Sequence, residues 1–180
     1  MPTAKSLLTF LALSSPSISS LIPRQSCGEG AQTVCYGSPS GTPQNIDPED
    51  LSYLAATLRY NAQAHLSTTK EPQFFTMPPN NNFQCEEWTI AQEGTVMLLA
   101  KHTSARLNTT VLTEDIANTL DGGANPSAAQ KKSSPLGACG KNGGQMGVVY
   151  NQTRAEYNTP AYKNSKATPS GLVLKVLHAP

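Results

Sequence analysis

Leu51, Leu54, Ala55, Leu58 and Ala62 recur at helical spacing through "IDPEDLSYLAATLRYNAQAHL", which gives an otherwise polar segment one apolar face. Its start is marked. Asp47 stands where an N-cap accepts a backbone N–H, and Pro48 fits the first helical position. Glu49 and Asp50 put negative charge against the positive end of the helix dipole. Ile46 before the cap and Leu51 after it have the spacing of a hydrophobic staple. The pattern predicts an amphipathic helix that lays its apolar face on a sheet, with His65 in the last turn, where a cation complements the dipole.

Strand-like patterns dominate downstream. "QFFTM" is a short strand stopped by Pro78-Pro79. "CEEWTIA" alternates, with Trp88 and Ile90 on one side and Glu87 and Thr89 on the other, which places Trp88 in the core. Glu93-Gly94 is a turn from which "TVMLLAKHT" returns antiparallel, and its unbroken apolar run marks a central strand closed by His102. "GQMGVVYN" and "GLVLKVL" are further strands, and Leu172, Leu174 and Val176 share one face of the second. Between these two lies "NQTRAEYNTPAYKNSKATPS" (151–170), a polar loop dotted with aromatics and long enough to be read as functional.

A second helix is expected in "TVLTEDIANTLDGG" (110–123). Thr113 is a good N-cap, Glu114 and Asp115 occupy the first turn, Ile116 and Leu120 share a buried face, and Gly122 ends the helix in a left-handed conformation. The acids Glu114, Asp115 and Asp121 then read as helix punctuation rather than as a catalytic or metal cluster; Asp121 is the least explained. The fold class this predicts is α+β, with two helices packed on one face of a mainly antiparallel sheet and disulfides tying it.

The first residues change the setting. Lys5, the apolar run Leu7–Leu13 and the small residues Ser17 and Ser19 make 1–19 a signal peptide, and 20–26, with Pro23-Arg24, a pro-segment. That apolar run is too short to span a bilayer. A secreted, extracellular protein follows, with one domain over 27–180, roughly 155–160 residues. The 14 prolines and 13 glycines of the full chain predict long ordered loops. A net charge of +1 carries no basic footprint for nucleic acid, and Lys131-Lys132 reads as a solvated turn.

Cys27, Cys35, Cys85 and Cys139 all follow the signal and are even in number, so two disulfides are expected, with three connectivities open. The gain from closing long loops favours pairing Cys27 and Cys35 each with a distant cysteine, and Cys27–Cys139 with Cys35–Cys85 is the expected set. No CxxC or HxxxH pair exists, so no metal or other cofactor is expected. Asn108 and Asn151 head glycosylation sequons and, if both are used, face solvent, whereas Asn125-Pro126-Ser127 is blocked by its proline.

Catalytic motifs are thin. No Gly-x-Ser-x-Gly or phosphate loop occurs. Glu86 and Glu87 are adjacent on a strand and point to opposite faces, so they cannot act as the opposed carboxyls of a glycosidase. Glu87 with His102 across the hairpin, plus Arg59, Arg106 or Arg154, is the one combination that would suit a ribonuclease. Tyr150, Tyr157 and Tyr162 are candidates for a binding surface, since tyrosine gives large contact area at little entropic cost.

The helix "DPEDLSYLAATLR", the pair "CEEWTIA" and "TVMLLAKHT", the helix "TEDIANTL" and the glycine-flanked cysteine of "GACGKNGGQMGVVY" follow one another in an order that resembles two related groups of small secreted fungal proteins. These are the necrosis-inducing factor family of plant-pathogen effectors and the killer toxins that block calcium channels. The resemblance covers roughly Cys27–Tyr150, by topology more than identity. It implies two helices over an antiparallel sheet in a secreted effector or toxin; no functional residue transfers. Three functions are therefore expected candidates. One is an effector- or toxin-like protein that binds a host or competitor target. The others are a ribonuclease-like hydrolase using Glu87 and His102, and a cell-wall glycan-binding protein.

Overall fold

The computed structural model describes residues 26–37, 39–79 and 85–180. The signal segment 1–19, and all of 20–26 except Ser26, lie outside the described residues. In chain order the elements are β1 (Val34–Cys35), α1 (Pro48–Thr69), β2 (Phe74–Met77), β3 (Glu87–Glu93), β4 (Val96–His102), β5 (Thr109–Leu112), α2 (Thr113–Asp121), α3 (Ala128–Ser133), α4 (Pro135–Cys139), β6 (Gly144–Gly147), α5 (Pro160–Asn164) and β7 (Leu172–His178). Five strands form one antiparallel sheet in the order β1-β6-β7-β4-β3, and β2 pairs antiparallel with β5 in a second, smaller sheet. The α+β class and the central place of β4 are as the sequence predicts.

The inner face of the large sheet carries Val96, Leu98 and Ala100 from β4 and Leu172, Leu174 and Val176 from β7, all buried. Leu51, Leu54, Ala55, Leu58 and Ala62 of α1 join them in one core with Ile116, Ala117 and Leu120 of α2. Asp47 Oδ1 caps α1 by accepting from Glu49 N at 2.9 Å. Asp50 fixes the same end to the β3–β4 turn, accepting from Thr95 N at 2.7 Å and Thr95 Oγ1 at 2.8 Å. The helix runs one turn further than expected. Ser67, Thr68 and Thr69 donate back to the carbonyls of Gln63, Ala64 and His65, so His65 lies inside the helix and not in its last turn.

The outer face is covered by the chain from Ser26 to Gly37. Cys27 N donates to Thr103 O, Gly147 N donates to Ala31 O, and β1 pairs with β6. Beneath it Val173 and Leu99 are buried. Two disulfides hold this strap, Cys27–Cys85 and Cys35–Cys139, and they interleave along the chain. The expected nested pairing is thus corrected. Strap geometry decides it: Cys35, in β1, is held by the β1–β6 pairing beside the end of α4, where Cys139 sits, while Cys27 is tied at the other end of the sheet, beyond β4.

Two residues depart from the sequence reading. Thr113 is not the N-cap of α2, because its N–H continues the small sheet by donating to Gln73 O; Leu112 occupies the cap with no side-chain bond. Gly122 does end α2 with φ 92°, and a Cβ there would stand 2.8 Å from the Gln130 carbonyl carbon, so only glycine fits. Trp88 is 38% exposed, on an edge strand whose register shifts between Thr89 and Ala91, and is not a core residue.

Candidate functional site

Glu87 and His102 do not meet. Glu87 lies directly across from Lys101 in the β3–β4 pair, and His102 is the next residue along β4, so the two side chains leave opposite faces of the sheet. On the outer face Glu87 Oε1 accepts from Lys175 Nζ at 2.7 Å and pairs with Lys101 Nζ at 3.4 Å, while Glu29 Oε1 binds the same two lysines at 3.2 and 3.1 Å. Burial alone would raise the Glu87 carboxyl, but Lys175 and Lys101 outweigh it and hold it below the ordinary value. His102 is buried on the inner side, with Nε2 donating to Met77 O at 3.0 Å in the neutral tautomer that this carbonyl requires. Burial depresses its pKa. The proposed catalytic pair is corrected to an ion cluster on one face and a core histidine on the other.

Two of the tyrosines are also relocated. The 151–170 stretch is not an open loop: it holds a 3-10 turn (Ala155–Asn158) and α5. Tyr157 and Tyr162 are only 3% and 9% exposed. Their rings pack 5.2 Å apart edge to face and flank Phe74. Each hydroxyl finds a partner inside. Tyr162 donates to Thr110 O at 2.7 Å, and burial pushes its pKa up to about 12. Tyr157 donates to Asp115 Oδ2 and accepts from Leu112 N at 2.9 Å. They belong to the buried core that α1, α2 and the sheet share, and are not an exposed binding surface.

Tyr150 is different. It is half-buried, stands edge-on to Tyr157 at 6.3 Å, and lines a cleft of about 430 Å³ between α2, the start of α3 and the stretch after β6. Thr119 joins two walls: its Oγ1 donates to Asp115 O and accepts from Val149 N. Asn118, Asn125, Gln130, Ser133 and Asn151 supply the polar lining.

The bonding of these groups is one-sided. Asn118 Oδ1 is taken by Arg59, which also forks onto Asp121 at 2.9 and 3.0 Å, and this ion pair accounts for Asp121. Gln130 Oε1 is taken by Ser127 in a capping box. The amide nitrogens of Asn118 and Gln130 and the whole Asn125 side chain have no partner among the described residues. At the far end of the cleft, Arg154 closes the acids. It binds Glu114 at 2.8 Å, Glu156 at 2.7 Å and Asp115 at 3.3 Å, and is held charged well above the ordinary arginine value. Asp115 is buried, which raises its carboxyl against the pull of Tyr157 and Arg154. Glu114 and Asp115 stand side by side on one helical turn, so no pair of carboxyls faces another across a gap here. Among the described residues no group of three or more His, Cys, Asp or Glu could hold a metal.

The two sequons are unlike each other. Asn151 is exposed at the rim of the cleft. Asn108 is half-buried and its Nδ2 donates to Ser165 O at 3.1 Å.

Sequence reading missed the spare amides and the exposed tyrosines of α1. Tyr53 and Tyr60 are 62% and 70% exposed. Their positions, two turns apart and opposite Leu51 and Leu58, were legible from the helical period. No protein-family model, curated protein or solved structure matches the chain. No described helix is long and apolar enough to cross a membrane.

Proposed function

We propose that this is a secreted effector- or toxin-like protein that acts by binding, and that its α2–α3 cleft takes a carbohydrate displayed by a host or competitor. The disulfides are consistent with an oxidising compartment. The observation that carries the reading is that the spare donors of Asn118, Asn125 and Gln130 line the same cleft as the half-buried ring of Tyr150. Neutral donors beside an aromatic ring suit a hydroxyl-rich neutral ligand, with hydroxyls accepting from the amides and a sugar face on the ring. An anionic ligand is disfavoured, because three carboxylates share one guanidinium at the cleft end.

The test is titration of the oxidised protein with chito-, cello- and laminari-oligosaccharides, followed by calorimetry. One class should bind, and Tyr150→Ala should weaken it about tenfold, on the order of 1.4 kcal/mol. Asn125→Ala should weaken it by a smaller factor. No heat with any of the three, or equal affinity in Tyr150→Ala, would sink the cleft as the binding site.

A further inference from the structure

Asn151 lies where the chain leaves β6 and enters the cleft rim, next to Tyr150. Its side chain is already set. Oδ1 accepts from Thr153 N at 3.0 Å and from Thr153 Oγ1 at 2.7 Å, so the sequon Asn151-Gln152-Thr153 is folded as an Asx turn. Nδ2 has no partner among the described residues, and all three sequon residues are exposed. The sequon at Asn108 is built the other way. Nδ2 is bonded to Ser165 O, Thr109 and Thr110 are buried in β5, and Thr110 Oγ1 is shared with Thr76. A glycan on Asn108 would be attached at the nitrogen that already binds Ser165 O, and would crowd the 165 turn beside β5. A glycan on Asn151 displaces nothing.

We infer that Asn151 is the glycosylated sequon of this protein, that Asn108 is not, and that the Asn151 glycan covers the mouth of the cleft beside Tyr150. The transfer needs a lipid-linked oligosaccharide pyrophosphate, the ordinary donor of a eukaryotic secretory pathway. Asn151 Nδ2 forms a bond to the anomeric carbon and the carbon–oxygen bond to the pyrophosphate breaks. The electron pair leaves on the pyrophosphate, and one amide proton is lost. The first sugars are then tethered within reach of Tyr150, one residue away. The site assignment rests on the secretory reading, and the regulatory part on the cleft being a carbohydrate site. The protein would be released with its cleft shielded by its own glycan, and trimming by extracellular glycosidases would open it.

The experiment compares one sequence in two states. The full chain is secreted from a yeast or insect host, and the same mature chain is made oxidised in a bacterial periplasm without glycans. Glycopeptide mass mapping should find sugar on Asn151 and not on Asn108, and Thr153→Ala should abolish it. Nitration of Tyr150 by tetranitromethane, read against Tyr60 as an exposed reference, should be about fivefold slower in the glycosylated form. Chitotriose, as the probe, should bind the glycosylated form about fivefold more weakly. Bare Asn151 in the secreted protein, or an Asn108 glycan on the folded chain, overturns the assignment. Equal nitration of Tyr150 in the two forms overturns the cover. If Tyr150 is protected but chitotriose binds neither form, the glycan cover stands and the chitin-type ligand falls.

Discussion

Tyr157 and Tyr36 are tyrosines in opposite situations, and removing each hydroxyl should read oppositely. Tyr157 OH bridges the buried Asp115 carboxylate and Leu112 N. Tyr157→Phe strands both, and the expected loss is about 2–4 kcal/mol by urea unfolding. The Tyr36 hydroxyl is buried with no partner among the described residues, so Tyr36→Phe should leave stability unchanged or raise it slightly in the same assay. His102 sets a pH dependence. Its pKa is depressed by burial, so the native state binds fewer protons than the unfolded chain as pH falls. The stability it contributes is present above the ordinary histidine range and is lost as pH falls through it. The urea midpoint should therefore drop between about pH 7 and 5, and drop less in His102→Gln, which keeps an N–H for Met77 O without titrating. Equal slopes for both proteins would remove His102 from the account. None of these partners was legible in the sequence. Polarity of the surrounding stretch argued that Tyr157 and Tyr162 face solvent, but a tyrosine needs only one acceptor for its hydroxyl to be buried.

Elements were more legible than residues, for a reason that shows in α1. Five apolar positions and four capping signals agree there, and each acts within one or two turns. Asp47→Ala should cost about 1 kcal/mol, since it removes the bond to Glu49 N. Thr113→Val, by contrast, should lose no cap bond and change stability little, because the sequence signal for a cap there is overridden by the bond from Thr113 N to Gln73 O. A loss as large as that of Asp47→Ala would show the assignment of Leu112 as cap to be mistaken. The missed elements are the short ones. β5 is four residues, "TTVL", wholly buried, and its pairing with β2 is a contact across the chain that no local pattern announces. The cleft inherits the difficulty. Its walls come from α2, α3 and the stretch after β6, and of its lining only Tyr150 was read as a binding residue, while Glu114 and Asp115 read as helix punctuation and Asn151 as a sequon.

Across the whole molecule the disulfides were beyond sequence reasoning, although their existence was not. The nested and interleaved pairings close loops of nearly the same combined length, so chain entropy does not choose between them. The strap does, by carrying Cys27 to one end of the sheet and Cys35 to the other. Replacing Cys35 and Cys139 together by serine should cost about 2–5 kcal/mol and free β1 from β6, which amide exchange at Gly144 would report.

Interleaving has a further result for life among extracellular proteases. Because one bridge opens at Cys27 and closes at Cys85, and the next opens at Cys35 before the first has closed and ends at Cys139, a single cut anywhere between Cys27 and Cys139 leaves both fragments joined. A nick after Lys131 or Lys132, exposed at the end of α3, would yield two bands on a reducing gel and one on a non-reducing gel. Cuts beyond Cys139 are not bridged, and one between Cys139 and Tyr150 separates Tyr150, Asn151 and β7 from the rest of the chain. A protein that is nicked in its first three-quarters thus stays one molecule, and its vulnerable region is the same C-terminal quarter that completes the cleft.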